Sequence, residues 1–165
     1  AFFAGGGAVK FVKDYDAAGL KKSIPLVGSG FLTDGTLEAQ GASAQGLITA
    51  LHYGDNIETP RNTAFRNKFA VTYKVNPDVY ALQGYDAAQM LAIGLATVKG
   101  DLSKKDALYA AMNKAQIDSP RGKFTLSPQR NPTQDFYVRE VKGNYNVVTG
   151  IAVKALADPG RGCKP

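Results

Sequence analysis

Residues 1–33, AFFAGGGAVKFVKDYDAAGLKKSIPLVGSGFLT, decide how the rest of the chain is read. An apolar run, Ala1–Ala4, stops at Gly5-Gly6-Gly7. Ala8, Phe11, Val12 and Tyr15 then recur at i, i+3, i+4 and i+7, the spacing of one helix face. Gly19 follows, where a helix needs a left-handed stop. Ile24–Val27 is a second short apolar run, closed by Gly28-Ser29-Gly30. Strand, glycine loop, helix, strand and glycine loop make a βαβ unit, so a parallel sheet is expected. Ligands of open α/β sheets bind off the carboxyl ends of the strands. Both glycine loops fall there and are candidates for a ligand-facing wall, the alternative being that the glycines only permit tight turns.

Composition narrows the class. The chain has 165 residues, 44% hydrophobic and 21% charged, which suits a folded domain rather than a disordered one. No stretch approaches the roughly 20 apolar residues of a membrane span. The first residues do not carry a signal-peptide pattern, and an opening in mid-strand is expected of a piece of a longer protein. Net charge is +6, but lysines and arginines are spread out and never exceed two in a row. Without a nucleic-acid-binding signature this describes a basic surface and no nucleic acid partner. The single cysteine, Cys163, is too few ligands for a metal site; it is a spare thiol or a link to another chain.

Outward from the opening unit, a short helix is expected around Thr36–Gln40 and a strand over Gly46–Tyr53. Thr59-Pro60 has the chemistry of a helix start, and Ala64, Phe65, Phe69 and Tyr73 keep helical spacing. Asn76-Pro77 stops that helix and Asp78 caps a long one, Val79 to about Val98. Gly84 costs that helix roughly 1 kcal/mol against Ala, which close packing there would offset. Ser103–Asp106 resembles a capping box before another helix. Lys123–Leu126 is a short strand, and Asp135–Val141 and Tyr145–Val153 form a hairpin about Gly143-Asn144. The class is α/β, with a helical block between sheet segments.

Catalytic chemistry finds little support. The glycine loops match neither a Walker A loop nor the dinucleotide fingerprint. The single histidine, His52, lies at a strand end beside Tyr53, and there is no nucleophile elbow. Neither a catalytic residue, a metal ligand nor a cofactor is assigned. Tyr80, in the first turn of the long helix, can project into a cleft or pack on Phe69 or Tyr73.

Taken in order, these segments resemble the C-terminal half of the type I periplasmic solute-binding proteins of ABC importers, the leucine/isoleucine/valine-binding group. The resemblance rests on AAGLK (17–21), IPLVGSGF (24–31), GLITALHYGD (46–55), YALQGYDAA (80–88), GKFTL (122–126) and DFYVREV (135–141). It implies a two-lobed type I fold, each lobe a three-layer sandwich on a mostly parallel sheet. Residues 1–51 and 134–165 would belong to the C-terminal lobe. Residues 52–133 would belong to the N-terminal lobe and its crossings, with His52, Tyr53 and Gly54 at a hinge. Implied ligand contacts are Gly5, Gly6, Gly7 and Ala8 in the first loop, Ser29, Gly30 and Phe31 in the second, and Tyr80. Amino-acid binders of this group carry a carboxylate in the second loop; here Asp34 is the nearest, so an acid lacking the ammonium suits the wall better. The implied function is capture of a branched-chain amino acid or related small aliphatic or aromatic acid in the periplasm for a membrane permease. The alternatives are an α/β enzyme that binds a nucleotide or phosphorylated substrate at the glycine loops, and a sensory ligand-binding domain. Half a fold should also expose apolar faces, and so self-associate or pair with its missing N-terminal half.

Overall fold

The structure is a computed structural model and describes residues 1–162; Cys163 lies outside them. In chain order the elements are α1 (Gly5–Ala17), β1 (Val27–Ser29), α2 (Leu37–Gln40), β2 (Ile48–Leu51), α3 (Pro60–Tyr73), α4 (Val79–Thr97), α5 (Lys105–Asn113), β3 (Thr125–Leu126), β4 (Pro132–Lys142) and β5 (Tyr145–Leu156). Short 3₁₀ turns at Leu20–Lys22, Gly30–Leu32 and Gly41–Ala44 join them. The chain divides into two compact units. Unit 1 is Ala1–Glu58 with Asp135–Lys154; unit 2 is Thr59–Gln134 with the residues from Ala155 on.

In unit 1, β1 runs parallel to β2, with Val27 beside Ile48 and Ser29 beside Ala50. β4 adds to β2 antiparallel, with Ile48 beside Glu140 and Leu51 beside Tyr137. Among the described residues, parallel pairing is therefore confined to β1 and β2. Ala1–Ala4 forms no strand. The Ala1 amino group donates to Val27 O at 2.7 Å and Ser29 N to Ala1 O at 3.3 Å, after which the chain leaves the sheet. α1 starts at Gly5 rather than Ala8 and ends as expected, with Gly19 left-handed at φ 70°.

The register assigns each residue to a face. One face carries Thr49, Leu51, Arg139 and Val141, all buried. Ala8, Val12 and Tyr15 of α1 pack there with Leu32, Ala44, Leu47 and Val141. The other face carries Val27, Ile48, Ala50 and Val138; Val27 is 59% exposed and Ala50 is exposed. Two layers of a three-layer sandwich are present in unit 1.

Unit 2 follows its caps. Thr59 Oγ1 accepts from Asn62 N, and Asp78 Oδ1 from Ala81 N, each at 3.0 Å, so local side-chain chemistry sets both helix starts. The expected box at Ser103 does not form. Ser103 donates its Oγ and N to Asp101 Oδ1, and α5 starts at Lys105 without a side-chain cap. The carboxylate two residues upstream is the better acceptor. Close packing on α4 occurs at Gly94, not Gly84. A Cβ on Gly94 would meet Met112 Cγ at 2.8 Å and Leu108 O at 3.3 Å, whereas one on Gly84 meets nothing within 4 Å.

Asp86 and Arg121 form a buried ion pair, with Arg121 Nε 3.1 Å from Asp86 Oδ2. That approach lacks hydrogen-bond alignment, and Asp86 Oδ1 has no hydrogen-bond partner. Ser119 Oγ donates to Asp86 Oδ2 at 2.8 Å, and Arg121 Nη1 donates to Gln134 Oε1 at 2.6 Å. Burial pushes the Asp86 carboxyl above its ordinary value, against the Ser119 bond and the Arg121 charge. Burial also lowers Arg121, against the pull of Asp86. Desolvation outweighs attraction on both sides of the pair.

Two outcomes follow for stability. Gly84→Ala stabilises the chain by about 0.5–1 kcal/mol through helix propensity, while Gly94→Ala destabilises it by about 1–3 kcal/mol through overpacking, both read by urea melts. Because the folded-state value of Asp86 is raised, its contribution is fully present below the ordinary carboxylate pKa and is lost as pH rises through the raised value. Wild type minus Asp86→Asn stability therefore declines from acidic to neutral pH; a rise would contradict the direction.

Candidate functional site

In unit 1 Ala1 lies beside β1, and the chain turns from there into α1 through Ala4, which is extended at φ −139° and ψ 158°. No side chain caps α1, and no acidic residue sits in its first turn. Gly5, at φ +54°, and Gly6 would present a Cβ to nothing within 4 Å; at Gly7 only Phe3 Cδ1 approaches, at 3.8 Å. All three glycines are exposed, so the first-turn N–H groups are open to an anion. Ala8 differs from its expected place. It is fully buried in the α1 core and its N–H donates to Ala4 O, because one turn into the helix its face meets the sheet.

The second loop follows β1. Ser29 is half-buried and its Oγ has no hydrogen-bond partner. Gly30 faces inward, not outward. A Cβ there would lie 2.6 Å from Arg139 Nη2 and 2.7 Å from Leu51 Cβ. Phe31 is half-buried and meets Phe2 edge to face, centroids 6.1 Å apart at 74°. Phe3 stacks on Phe11 at 4.5 Å. The two glycine loops are thus brought together through the Ala1 ladder bonds and the Phe2–Phe31 contact. Phe2, 70% exposed, was passed over by the sequence reading as strand; its position just before a glycine loop was the available signal.

Arg139 lies beneath this wall. Its Nη2 donates to Asp34 Oδ2 at 2.7 Å, with side-chain exposures of 0% and 3%. Nη1 donates to Tyr53 O at 2.9 Å, and Nε and Nη2 reach Thr49 Oγ1 at 3.3 and 3.0 Å. Asp34, the nearest carboxylate to the second loop, is therefore committed to a buried guanidinium.

The segment after β2 is packed within unit 1. His52 is buried, its ring edge-on to Phe136 at 6.0 Å. Tyr53 is buried, and Gly54 presses on Val148 with no room for a Cβ. Asp55 and Asn56 bind β5: Asn146 N donates to Asp55 Oδ2 and Val148 N to Asn56 Oδ1, both at 2.6 Å. Tyr80 belongs to unit 2, where it is the second residue of α4 and 46% exposed.

The two loops respond differently to a methyl group. Gly30→Ala destabilises the chain by about 2 kcal/mol or more, since Leu51 or the guanidinium must shift, whereas Gly6→Ala leaves stability within about 0.5 kcal/mol. Thermal melts of both variants check this.

The sequence model of the family described as periplasmic binding protein matches residues 1–146. A Leu/Ile/Val-binding protein homolog of Brucella abortus is 32% identical over 136 residues, covering 79% of this chain and 35% of its own. A solute-binding protein of an ABC transporter from R. palustris, solved in complex with benzoate, aligns at 50% identity with a TM-score of 0.94, covering all of this chain and 45% of that one. Another, from Rhodopseudomonas palustris BisB5 in complex with 3,4-dihydroxybenzoic acid, aligns at 30% identity with a TM-score of 0.84, covering 96% of this chain and 45% of that one. The chain spans about a third of the length of the curated relatives it matches and under half of these solved structures. With its α/β units and a family match over most of its length, the chain belongs to the periplasmic binding protein family and carries part of the type I fold.

Proposed function

We propose that this chain is part of the periplasmic solute-binding subunit of an ABC importer, which holds a small aromatic or aliphatic acid and delivers it to a membrane permease without chemically changing it. The supporting observation is the wall of unit 1: an uncapped glycine helix start beside the Phe2–Phe31 pair, with Asp34 already committed to Arg139. Helix N–H groups and the positive end of the helix dipole favour a carboxylate. Aromatic rings favour a flat apolar body. An α-ammonium would need a counter-charge, and a buried cation without one is costly. The relatives solved with benzoate and 3,4-dihydroxybenzoic acid are in keeping with this ligand class. In this reading Tyr80 supplies a further aromatic contact, and His52–Gly54 serve as a crossing between lobes. His52, which an enzymatic reading would need as a base, is buried against Phe136.

Thermal shift of the whole protein checks the reading. At a hundredfold excess over Kd, a ligand of the folded state adds about 2.7 kcal/mol, roughly 5–10 °C in Tm. Benzoate or 4-hydroxybenzoate should produce such a shift and ATP none. A shift with ATP alone would overturn the reading.

A further inference from the structure

We propose that Arg139, by holding Asp34, sets the net charge beneath the second loop and so makes this wall select against ligands that carry an ammonium group. The inference rests on the solute-binding reading above. Asp34 is the only acidic residue between Val27 and Thr36. Its carboxylate is 2.7 Å from Arg139 Nη2, and the two side chains are 3% and 0% exposed. The guanidinium lies directly under the loop: Nη2 occupies the space that a Cβ on Gly30 would need. Arg139 also donates to Tyr53 O and to Thr49 Oγ1, so the cation is held from three sides. With the pair intact, the loop rests on two charges that cancel. A ligand carboxylate meets no repulsion there, and a ligand ammonium finds no free anion.

Removal of Arg139 alone would leave the Asp34 carboxylate beneath Gly30 without its guanidinium. In a low-dielectric site that charge repels a ligand anion and attracts a ligand cation. Removal of Asp34 alone would leave an unopposed guanidinium with the opposite effect. Removal of both restores neutrality. Arg139 is thus a positioning and charge-setting residue; contact with ligand is not required of it.

The experiment is a double-mutant cycle on the whole protein, with benzoate and L-leucine titrated by calorimetry and folding checked by circular dichroism. Wild type should bind benzoate in preference to leucine. Arg139→Gln should weaken benzoate by about tenfold or more and move the benzoate-to-leucine ratio toward leucine. Asp34→Asn should move that ratio the other way. The double variant should return it to within about threefold of wild type. A purely structural pair would lower stability yet leave the ratio constant in every folded variant, and that result overturns the proposal. Should Arg139→Gln fail to fold, Asp34→Asn decides alone, and an unchanged ratio overturns the proposal. Should neither single variant fold, a double variant with an altered ratio does the same. Wild type that binds both ligands equally overturns this proposal only. Wild type that binds neither overturns the solute-binding reading as well.

Discussion

A buried guanidinium organises unit 1. Arg139 stands within β4 and reaches the strand beside it at Thr49, the segment just past that strand at Tyr53, and the loop after β1 at Asp34. Taking two ions out of water costs several kcal/mol each, and attraction repays this only when the remaining donors are satisfied. Nε, Nη1 and Nη2 of Arg139 all have partners. The same condition explains Gly30, because any side chain there would enter the guanidinium's space. Unit 2 holds a second buried pair whose hydrogen bonding is less complete. Asp86 Oδ1 lacks a partner, the Arg121 contact is poorly aligned, and both groups are shifted toward their neutral forms. Both pairs are buried, but only around Arg139 do all the guanidinium nitrogens find hydrogen-bond partners.

The wall that supports the functional reading is a by-product of this organisation. The Ala1 ladder bonds bring Phe2 over to Phe31, and α1 then starts on glycines whose amides no side chain takes. Beneath it the sheet presents its covered face to α1 and leaves Val27 and Ala50 exposed on the other.

Local chemistry was legible in the sequence, and distant chemistry was not. The starts of α3 and α4 were readable because Thr59 and Asp78 bond to amides three residues away. The left-handed stop at Gly19 was readable for the same reason. Ser103 misled because Asp101 competes for it, a choice between two local motifs that spacing cannot rank. Gly30 was expected to face a ligand or, as the alternative, to permit a tight turn, whereas what demands a glycine there is a side chain 109 positions later. Arg139 itself looked like the polar half of an alternating strand, yet the register puts it on the buried face with Thr49 and Leu51. Ala8 and Phe2 were misplaced because Ala1–Ala4 forms no strand and α1 starts three residues early, at Gly5.

The order of the strands also has a consequence for how the molecule is made. β2 ends at Leu51, but the strand that completes its pairing is drawn from Tyr137–Glu140, some 90 residues downstream. Segments 53–56 are likewise tied to Asn146 and Val148. Closing so long a loop is an entropic barrier that precedes any reward from contact. Until residues 135–154 join it, the larger part of unit 1, residues 1–58, lacks the strand that pairs with β2 on its second side. The helices of unit 2 lie in one continuous stretch, Thr59–Gln134, and need no such closure, so folding passes through a formed middle flanked by two unequal parts of an unfinished sheet.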